Sequence, residues 1–595
     1  MIRTPLRPLA RILDARQKGE NPDAIERENL RLRHEEIRDR LRLRAEQRLL
    51  LLGIMYFCAF LVIAVRMGGL AASEATEPRA ATNGASIIGQ RADIVDRRGR
   101  ILATNMEVYS LYAHPQQMID PLRAAEELGK IFPEIDVADL KKRFTSERKF
   151  MWIRKKLSPE QKQAVHDIGE PGLLFGPREM RLYPNGAVAA HVLGGYGFGR
   201  EGVHSAEVLG TAGIEKFEDK LLRDPAREGA PLELSIDLTL QAAAEKVLYG
   251  GMKIMGAKGA TAILMDASNG EILSLASLPD FDPNDRPLPA LGDDPSISPL
   301  FNRAVQGVYE LGSTFKIFAA AQAMDLGIVG PDSMVDIRGP LTWGRFRIRD
   351  FNNYGKELSV TKVIVKSSNI GTARLAQKIG TPRQQDFLKR LGFFDVTPVE
   401  LQEAKHAKPL LPPNWSELST MTISYGHGLS VSPLHLATAY AAVANGGRMV
   451  APTLLRQTGP KLGDRVMSES AAAAARAMLR LVVSHKEGTA SFGEVKGYAV
   501  GGKTGTADKP KPKGGYYKDK VIATFASIFP IHDPKYVLVV TLDEPEIHAA
   551  GELRRTAGWT AVPVAAEMIE RLAPLLGLRP TIEPETLAGI TLTSQ

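Results

Sequence analysis

Cysteine is almost missing from this 595-residue chain: the one residue present, Cys58, permits no intrachain disulfide and no cysteine-based metal cage. An acidic excess is missing as well. Lys and Arg number 76 against 68 Asp and Glu, for a formal net charge of +8. That basic excess is spread along the chain without a zinc finger or other nucleic-acid motif. Nucleic acid is therefore not the expected partner; a membrane or an acidic polymer outside the cell suits the charge equally well. Apolar residues at 44% and charged residues at 24% exclude a disordered or fibrous chain. The length suggests about three or four units of ordinary domain size.

Charge disappears entirely from Leu49 to Val65, LLLLGIMYFCAFLVIAV. With Met67 to Leu70 beyond Arg66, which can snorkel, the run is long enough to cross a bilayer. The 48 residues before it carry thirteen Lys or Arg against nine Asp or Glu. That is too long for the n-region of a cleaved signal peptide, so the expectation is an uncleaved anchor. Its basic flank predicts the N-terminus inside and everything after it outside the cytoplasmic membrane. The expected layout is a cytoplasmic basic tail (1–48), a transmembrane anchor (49–70), a small-residue linker (71–86), a mixed α+β block (87–229), a larger block (230–580) and a tail (581–595).

In the block 87–229, the stretch 94–102 reads as strand, turn and strand. Ser158-Pro159-Glu160-Gln161 has the makings of a helix start, with a capping box and proline at the first helical position. Gly197, Gly199 and Gly202 match G-x-G-x-x-G but lie in a glycine-rich run that reads as a loop, so no dinucleotide site is expected. From Pro231 the texture changes. A strand over 232–237 and a helix over 238–248 lead to two strands joined by Asn269-Gly270, a strong hairpin signal. Strands at 521–529 and 536–542 and a closing helix over 560–575 complete a mixed α/β domain with a largely antiparallel sheet.

Gly312-Ser313-Thr314-Phe315-Lys316, followed by Ile317-Phe318-Ala319-Ala320-Ala321, places a serine three positions before a lysine at the mouth of an apolar helix. On a helix the two share a face, and the helix N-terminus favours a developing anion. Two other strings, Ser146 to Lys149 and Ser359 to Lys362, match S-x-x-K as letters alone. Only Ser313 has the rest of a set in order behind it: Ser367-Ser368-Asn369, then Lys503-Thr504-Gly505 with Thr506 next. Residue chemistry suggests Ser313 as nucleophile and Lys316 as its base, provided burial and the nearby cation Lys503 lower the lysine's pKa. Ser367 suits a proton relay, and Asn369 can hold a substrate amide. Gly501, Gly502 and Gly505 would let an extended peptide lie on a strand, with Lys503, Thr504 and Thr506 as donors to its carboxylate. The backbone N–H groups of Ser313 and Thr506 would make the oxyanion hole. His427, in a glycine loop, reads as structural.

These motifs resemble those of class B penicillin-binding proteins. The likeness extends to Asp96-Arg97-Arg98-Gly99, Gly213-Ile214-Glu215, residues 265–271 and Tyr425 to Pro433; residues 501–507 and 542–545 are most similar to the septal branch. The resemblance implies a transpeptidase domain of the penicillin-binding-protein and serine β-lactamase type, α/β (α+β), with an antiparallel sheet and a helical subdomain. A transmembrane helix and an elongated mixed α+β pedestal would precede it. It implies a serine D,D-transpeptidase without metal or cofactor that is acylated on Ser313 by stem peptides ending in D-Ala-D-Ala, releases D-Ala and cross-links peptidoglycan in septum formation. β-Lactams would inactivate the same serine. Implied partners are the lipid-linked precursor, a SEDS-type glycosyltransferase and divisome membrane proteins. An elongation-type transpeptidase, a D,D-carboxypeptidase, a β-lactamase and a non-catalytic β-lactam sensor or scaffold remain the alternatives. Glu310-Leu311-Gly312 departs from the family's frequent Glu-Pro-Gly, and no E-x-x-x-N element lies between Asn369 and Lys503.

Overall fold

From Pro22 onward, the charged N-terminal segment and the uncharged run that follows it form one continuous helix. A computed structural model of the chain describes residues 7–72, 91–201, 206–289, 294–511 and 514–581. Most of the expected linker (71–86), nearly all of the tail (581–595) and Gly202 lie outside the described residues. Helix α1 (Arg7–Lys18) precedes α2 (Pro22–Ala72), a 51-residue helix whose stretch Ala45–Gly68 is long and apolar enough to span a membrane.

Two compact units emerge: Met1–Glu77 with Ala113–Met151 and Glu170–Gly172, and Pro78–Tyr112 with Trp152–Gly169 and Leu173–Gln595. Beyond α1 and α2, the first holds α3 (Pro121–Ile131) and α4 (Val137–Phe144), capped by the carboxylates of Asp120 and Asp136. The carboxylate of Glu170 accepts the Ile119 and Asp120 N–H groups at 2.7 and 2.9 Å.

The second unit begins with β1 (Ile94–Val95), β2 (Ile101–Ala113), β3 (Met151–Leu157), α5 (Pro159–Asp167) and β4 (Leu173–Leu182). Both halves of the capping box at Ser158 and Gln161 are made. Strands β5 (Gly195–Glu201) and β6 (Ala206–Ala212) pair antiparallel. This corrects the loop expected there: Tyr196 and Phe198 alternate with the glycines and stack edge-on at 5.6 Å. The strand expected at 232–237 shrinks to β7 (Leu232–Glu233), because Ser235 turns its hydroxyl to the Ile272 and Thr453 carbonyls and Asp237 caps the next helix. One sheet runs β3-β2-β1-β7, with β4 on β2. Beside it, the Glu215 carboxylate joins Arg91 at 2.6 Å and Arg181 at 2.7 Å, all three buried, and Arg91 also meets Asp219 at 2.8 Å.

The larger sheet has the order β10 (Gly501–Pro510), β11 (Tyr516–Phe529), β12 (Tyr536–Asp543), β8 (Gly259–Asp266) and β9 (Ile272–Leu278), antiparallel throughout. Its central strands are buried along nearly their whole length, so both faces are covered. Helices α6 (Leu238–Ile254), α10 (Pro433–Ala444) and α12 (Ala561–Leu575) pack on it. The helical part contains α7 (Lys316–Asp325), α8 (Val360–Val365), α9 (Asn369–Ile379) and α11 (Glu469–Ser484). Every residue of α7 from Lys316 to Ala323 is buried, and Phe318 meets Phe315, Phe393 and Tyr440 edge-on. Such ring pairs are worth about 0.5–1.5 kcal/mol each beyond their area. That packing fixes the start of α7, and the turn Gly312–Phe315 just before it lies against the edge strand β10.

Candidate active site

Ser313 is not at the start of an α-helix. Gly312–Phe315 is a 3-10 turn, and α7 begins at Lys316. In a 3-10 turn residues i and i+3 eclipse, so Ser313 and Lys316 still share a side. The turn is fastened from two directions. Its Gly312 N–H donates to the Gly426 carbonyl at 3.2 Å, and a Cβ on Gly505 would lie 2.1 Å from the Leu311 carbonyl oxygen. Gly312 adopts φ +54°, where a side chain would be strained and would press on the Thr506 carbonyl.

Both lysines converge on Ser367 rather than on Ser313. Lys316 Nζ donates to the Ser367 carbonyl at 2.5 Å and to Ser367 Oγ at 3.0 Å. Lys503 Nζ donates to the same Oγ at 3.0 Å and to the Thr504 carbonyl at 3.1 Å. Neither amine reaches solvent. Burial pushes the Lys316 pKa well below the ordinary lysine value; the positive charge of Lys503 adds to this and Asp350 opposes it. Lys503 itself is pulled down to about 7 by burial. The expected helper cation is thus a second depressed amine, and burial comes before it as a cause.

Ser367 holds φ +61°, a conformation rare for a residue with a side chain. Its neighbours supply the constraint. Ser368 caps α9, accepting the Gly371 N–H at 2.9 Å while donating to Asp350 Oδ2 at 2.7 Å. Asp350 Oδ1 accepts the Ile370 N–H at 3.0 Å, and Asn369 Nδ2 donates to the Arg349 carbonyl at 2.9 Å. Asp350 went unseen in the sequence, since an acid 18 positions upstream of a serine has no signature. A cavity of about 630 Å³, lined in part by Ile337, Gly339, Asp350, Tyr354 and Ile370, opens beside it.

On β10, Thr504 Oγ1 meets Thr489 Oγ1 at 2.7 Å and Thr506 Oγ1 accepts the Ala557 N–H at 3.0 Å. The strand lies at the sheet edge, so one side of its backbone has no partner strand among the described residues. The glycines answer to the protein's own packing: a Cβ at Gly501 or Gly502 would strike Ile531 or Phe525, and one at Gly505 the turn that carries Ser313. Internal packing therefore already accounts for these three glycines, whatever lies along the strand. The two rival S-x-x-K strings do local work: Ser146 Oγ donates to the Arg143 carbonyl, and Ser359 caps α8 by accepting the Lys362 N–H.

A serine on a wedged turn, two buried amines and a shared hydroxyl beside an edge strand make a site for acyl transfer to and from an extended peptide. Comparison with known proteins agrees. Residues 260–570 match the penicillin binding protein transpeptidase domain, and residues 86–226 match the penicillin-binding protein dimerisation domain. The chain belongs to the class B penicillin-binding proteins. Among its relatives, the probable peptidoglycan D,D-transpeptidase FtsI of Caulobacter vibrioides is 35% identical, with 94% of each chain covered. The Escherichia coli peptidoglycan D,D-transpeptidase FtsI is 28% identical, covering 77% of this chain and 79% of its own. A crystal structure of penicillin binding protein 3 from Mycobacterium tuberculosis, complexed with aztreonam, superposes with a TM-score of 0.63 at 26% identity, covering 84% of this chain and 98% of that one.

Proposed function

We propose that this class B enzyme, a serine D,D-transpeptidase, is the septal one, and that its chemistry runs through Ser313, Lys316, Ser367, Asn369 and Lys503. The observation that carries the site is Ser367 Oγ, bracketed at 3.0 Å by both buried amines. Ser313 Oγ attacks the penultimate D-Ala carbonyl and its proton passes to neutral Lys316. Ser367 relays a proton to the leaving amine, and D-Ala departs, leaving an ester on Ser313. An amine from a neighbouring stem peptide then attacks that ester. Backbone N–H groups of Ser313 and Thr506 receive the oxyanion, each donor contributing about 2.7–4 kcal/mol. The donor peptide extends β10, with its amide on Asn369 and its carboxylate near Lys503, Thr504, Gly505 and Thr506.

α2 anchors the chain with its N-terminus inside and the catalytic domain in the periplasm, where precursor, β-lactam and division partners reach it. The septal assignment is supported by the end-to-end likeness to Caulobacter FtsI and by residues 501–507 and 542–545. Fluorescent penicillin should label the wild-type chain and leave Ser313→Ala unlabelled, a loss on the order of 10⁶-fold in acylation. Unchanged labelling of the variant would remove Ser313 from the chemistry. Depletion should give filaments; round cells would assign it to elongation.

A further inference from the structure

Glu310 and His427 flank the nucleophile turn and take no part in the chemistry above. Glu310 Oε1 accepts the Gly428 N–H at 2.8 Å and the Tyr516 hydroxyl at 2.9 Å, while Oε2 has, among the described residues, only the longer Tyr516 contact at 3.2 Å. No Lys or Arg pairs with this half-buried carboxylate among the described residues. His427 follows Gly426, whose carbonyl accepts the Gly312 N–H and whose φ of +86° leaves no room for a side chain: a Cβ would lie 1.9 Å from the Gly312 oxygen. The imidazole is therefore carried by a peptide locked to the nucleophile turn. It lies between the rings of Tyr425 and Tyr516, at 5.4 and 6.5 Å, and its buried Nδ1 has no hydrogen-bond partner among the described residues.

We infer that Glu310 and His427 form the reception site for the acceptor's primary ammonium: Glu310 holds the cation, and His427 takes the proton it must shed before attacking the acyl-enzyme. This rests on the transpeptidase reading and extends it to the second half-reaction. An amine arriving as R–NH₃⁺ carries one proton too many for attack. His427 accepts that proton and later yields it to solvent. The N–C bond forms as the C–Oγ bond breaks, and the second nitrogen proton returns through Ser367 and Lys316 to Ser313 Oγ. Lys316 and Lys503 each donate to Ser367, which commits this trio to the second proton; the first therefore needs a separate acceptor.

The groups facing His427 make it neutral enough to serve. Burial lowers its pKa most; Glu310 raises it, Lys316 lowers it, and the Tyr425 carbonyl (short of a full hydrogen bond) and Asp508 raise it, leaving a net depression. Tyr425 and Tyr516 also face the ring, and both are held in their uncharged forms, with burial as the first cause.

The test uses the full-length protein in detergent, a thioester of an N-acyl-D-alanine as donor, and glycine as amine acceptor. Fluorescent-penicillin acylation, which needs no acceptor, is measured in parallel. In His427→Gln the ratio of aminolysis to penicillin acylation should fall about 10²-fold, the low end of a general-base contribution. In Glu310→Gln the KM for glycine should rise while kcat for aminolysis changes little. An unchanged ratio in His427→Gln together with an unchanged glycine KM in Glu310→Gln would overturn the inference. Failure of the wild-type chain to be acylated would instead defeat the transpeptidase reading on which it rests.

Discussion

Two clusters of buried cations lie in the second unit, and they have opposite chemistry. Arg91 and Arg181 are as buried as Lys316 and Lys503, all at 2% exposure or less. The arginines share a buried carboxylate, Glu215, and Arg91 adds Asp219. The lysines share only a hydroxyl, Ser367 Oγ, with Asp350 opposing the depression of Lys316 without pairing to either amine. Guanidinium cannot lose its proton in a protein, so burying it demands an anion. An amine can, and burial without an anion turns it into a base. The difference separates a structural joint from the centre proposed above as reactive, although each is a set of buried basic side chains tied to one central residue.

Exchanging these properties gives the sharpest tests. Lys316→Met should lower penicillin acylation by about 10²–10⁴-fold, the range of a general base, while the unfolding temperature stays level or rises. A parallel loss of stability would show Lys316 to be a structural cation like the arginines. Glu215→Gln should do the reverse. Leaving Arg181 without a carboxylate, and Arg91 with Asp219 alone, should cost about 3–5 kcal/mol, read by chemical denaturation, while the molecules still folded keep acylating.

The pH dependence of stability sharpens the same contrast. Between about pH 7 and 10.5 the unfolded chain keeps a proton on Lys503 that the folded protein releases. Stability therefore rises with pH across that window, by up to about 1.4 kcal/mol per unit, and the full penalty is present below it. Lys503→Met should make this rise shallower, leaving the part that depressed Lys316 contributes, and raise the unfolding temperature at neutral pH; a wild-type profile that falls over the window would refute the depressed amines. The smallest effect is expected outside both clusters. Ser158→Ala removes the cap of α5 and should cost about 1 kcal/mol in denaturation without altering acylation.

Local signals translated faithfully. The Ser158 capping box, the Asn269-Gly270 connection and the late strands appear where spacing places them, because each depends on neighbours a few positions away. The misses have one cause. Gly195–Glu201 became a strand because β6 pairs with it, and the packing of Gly501, Gly502 and Gly505 against Ile531, Phe525 and Leu311 involves residues remote in the chain. Asp350, Glu310 and His427 acquire their settings only through bonds to residues remote in the chain or through the turns that carry them. No short pattern encodes such partners.

By itself the amino-acid order determined an apolar helix long enough to span a membrane, the antiparallel sheet and the three motifs with Ser313, Lys316, Ser367, Asn369 and Lys503 among them, since hydrophobic runs and motif spacing are properties of the chain read in one dimension. Only the tertiary structure decided which atoms those residues touch. It set Ser313 in a 3-10 turn, turned both amines onto Ser367 at 3.0 Å, and withheld from them the carboxylate partner it gives Arg91 and Arg181. The physical reason is that a pKa is fixed by burial and by charges within a few ångströms, and here Lys316, Ser367 and Lys503 come from separate parts of the chain.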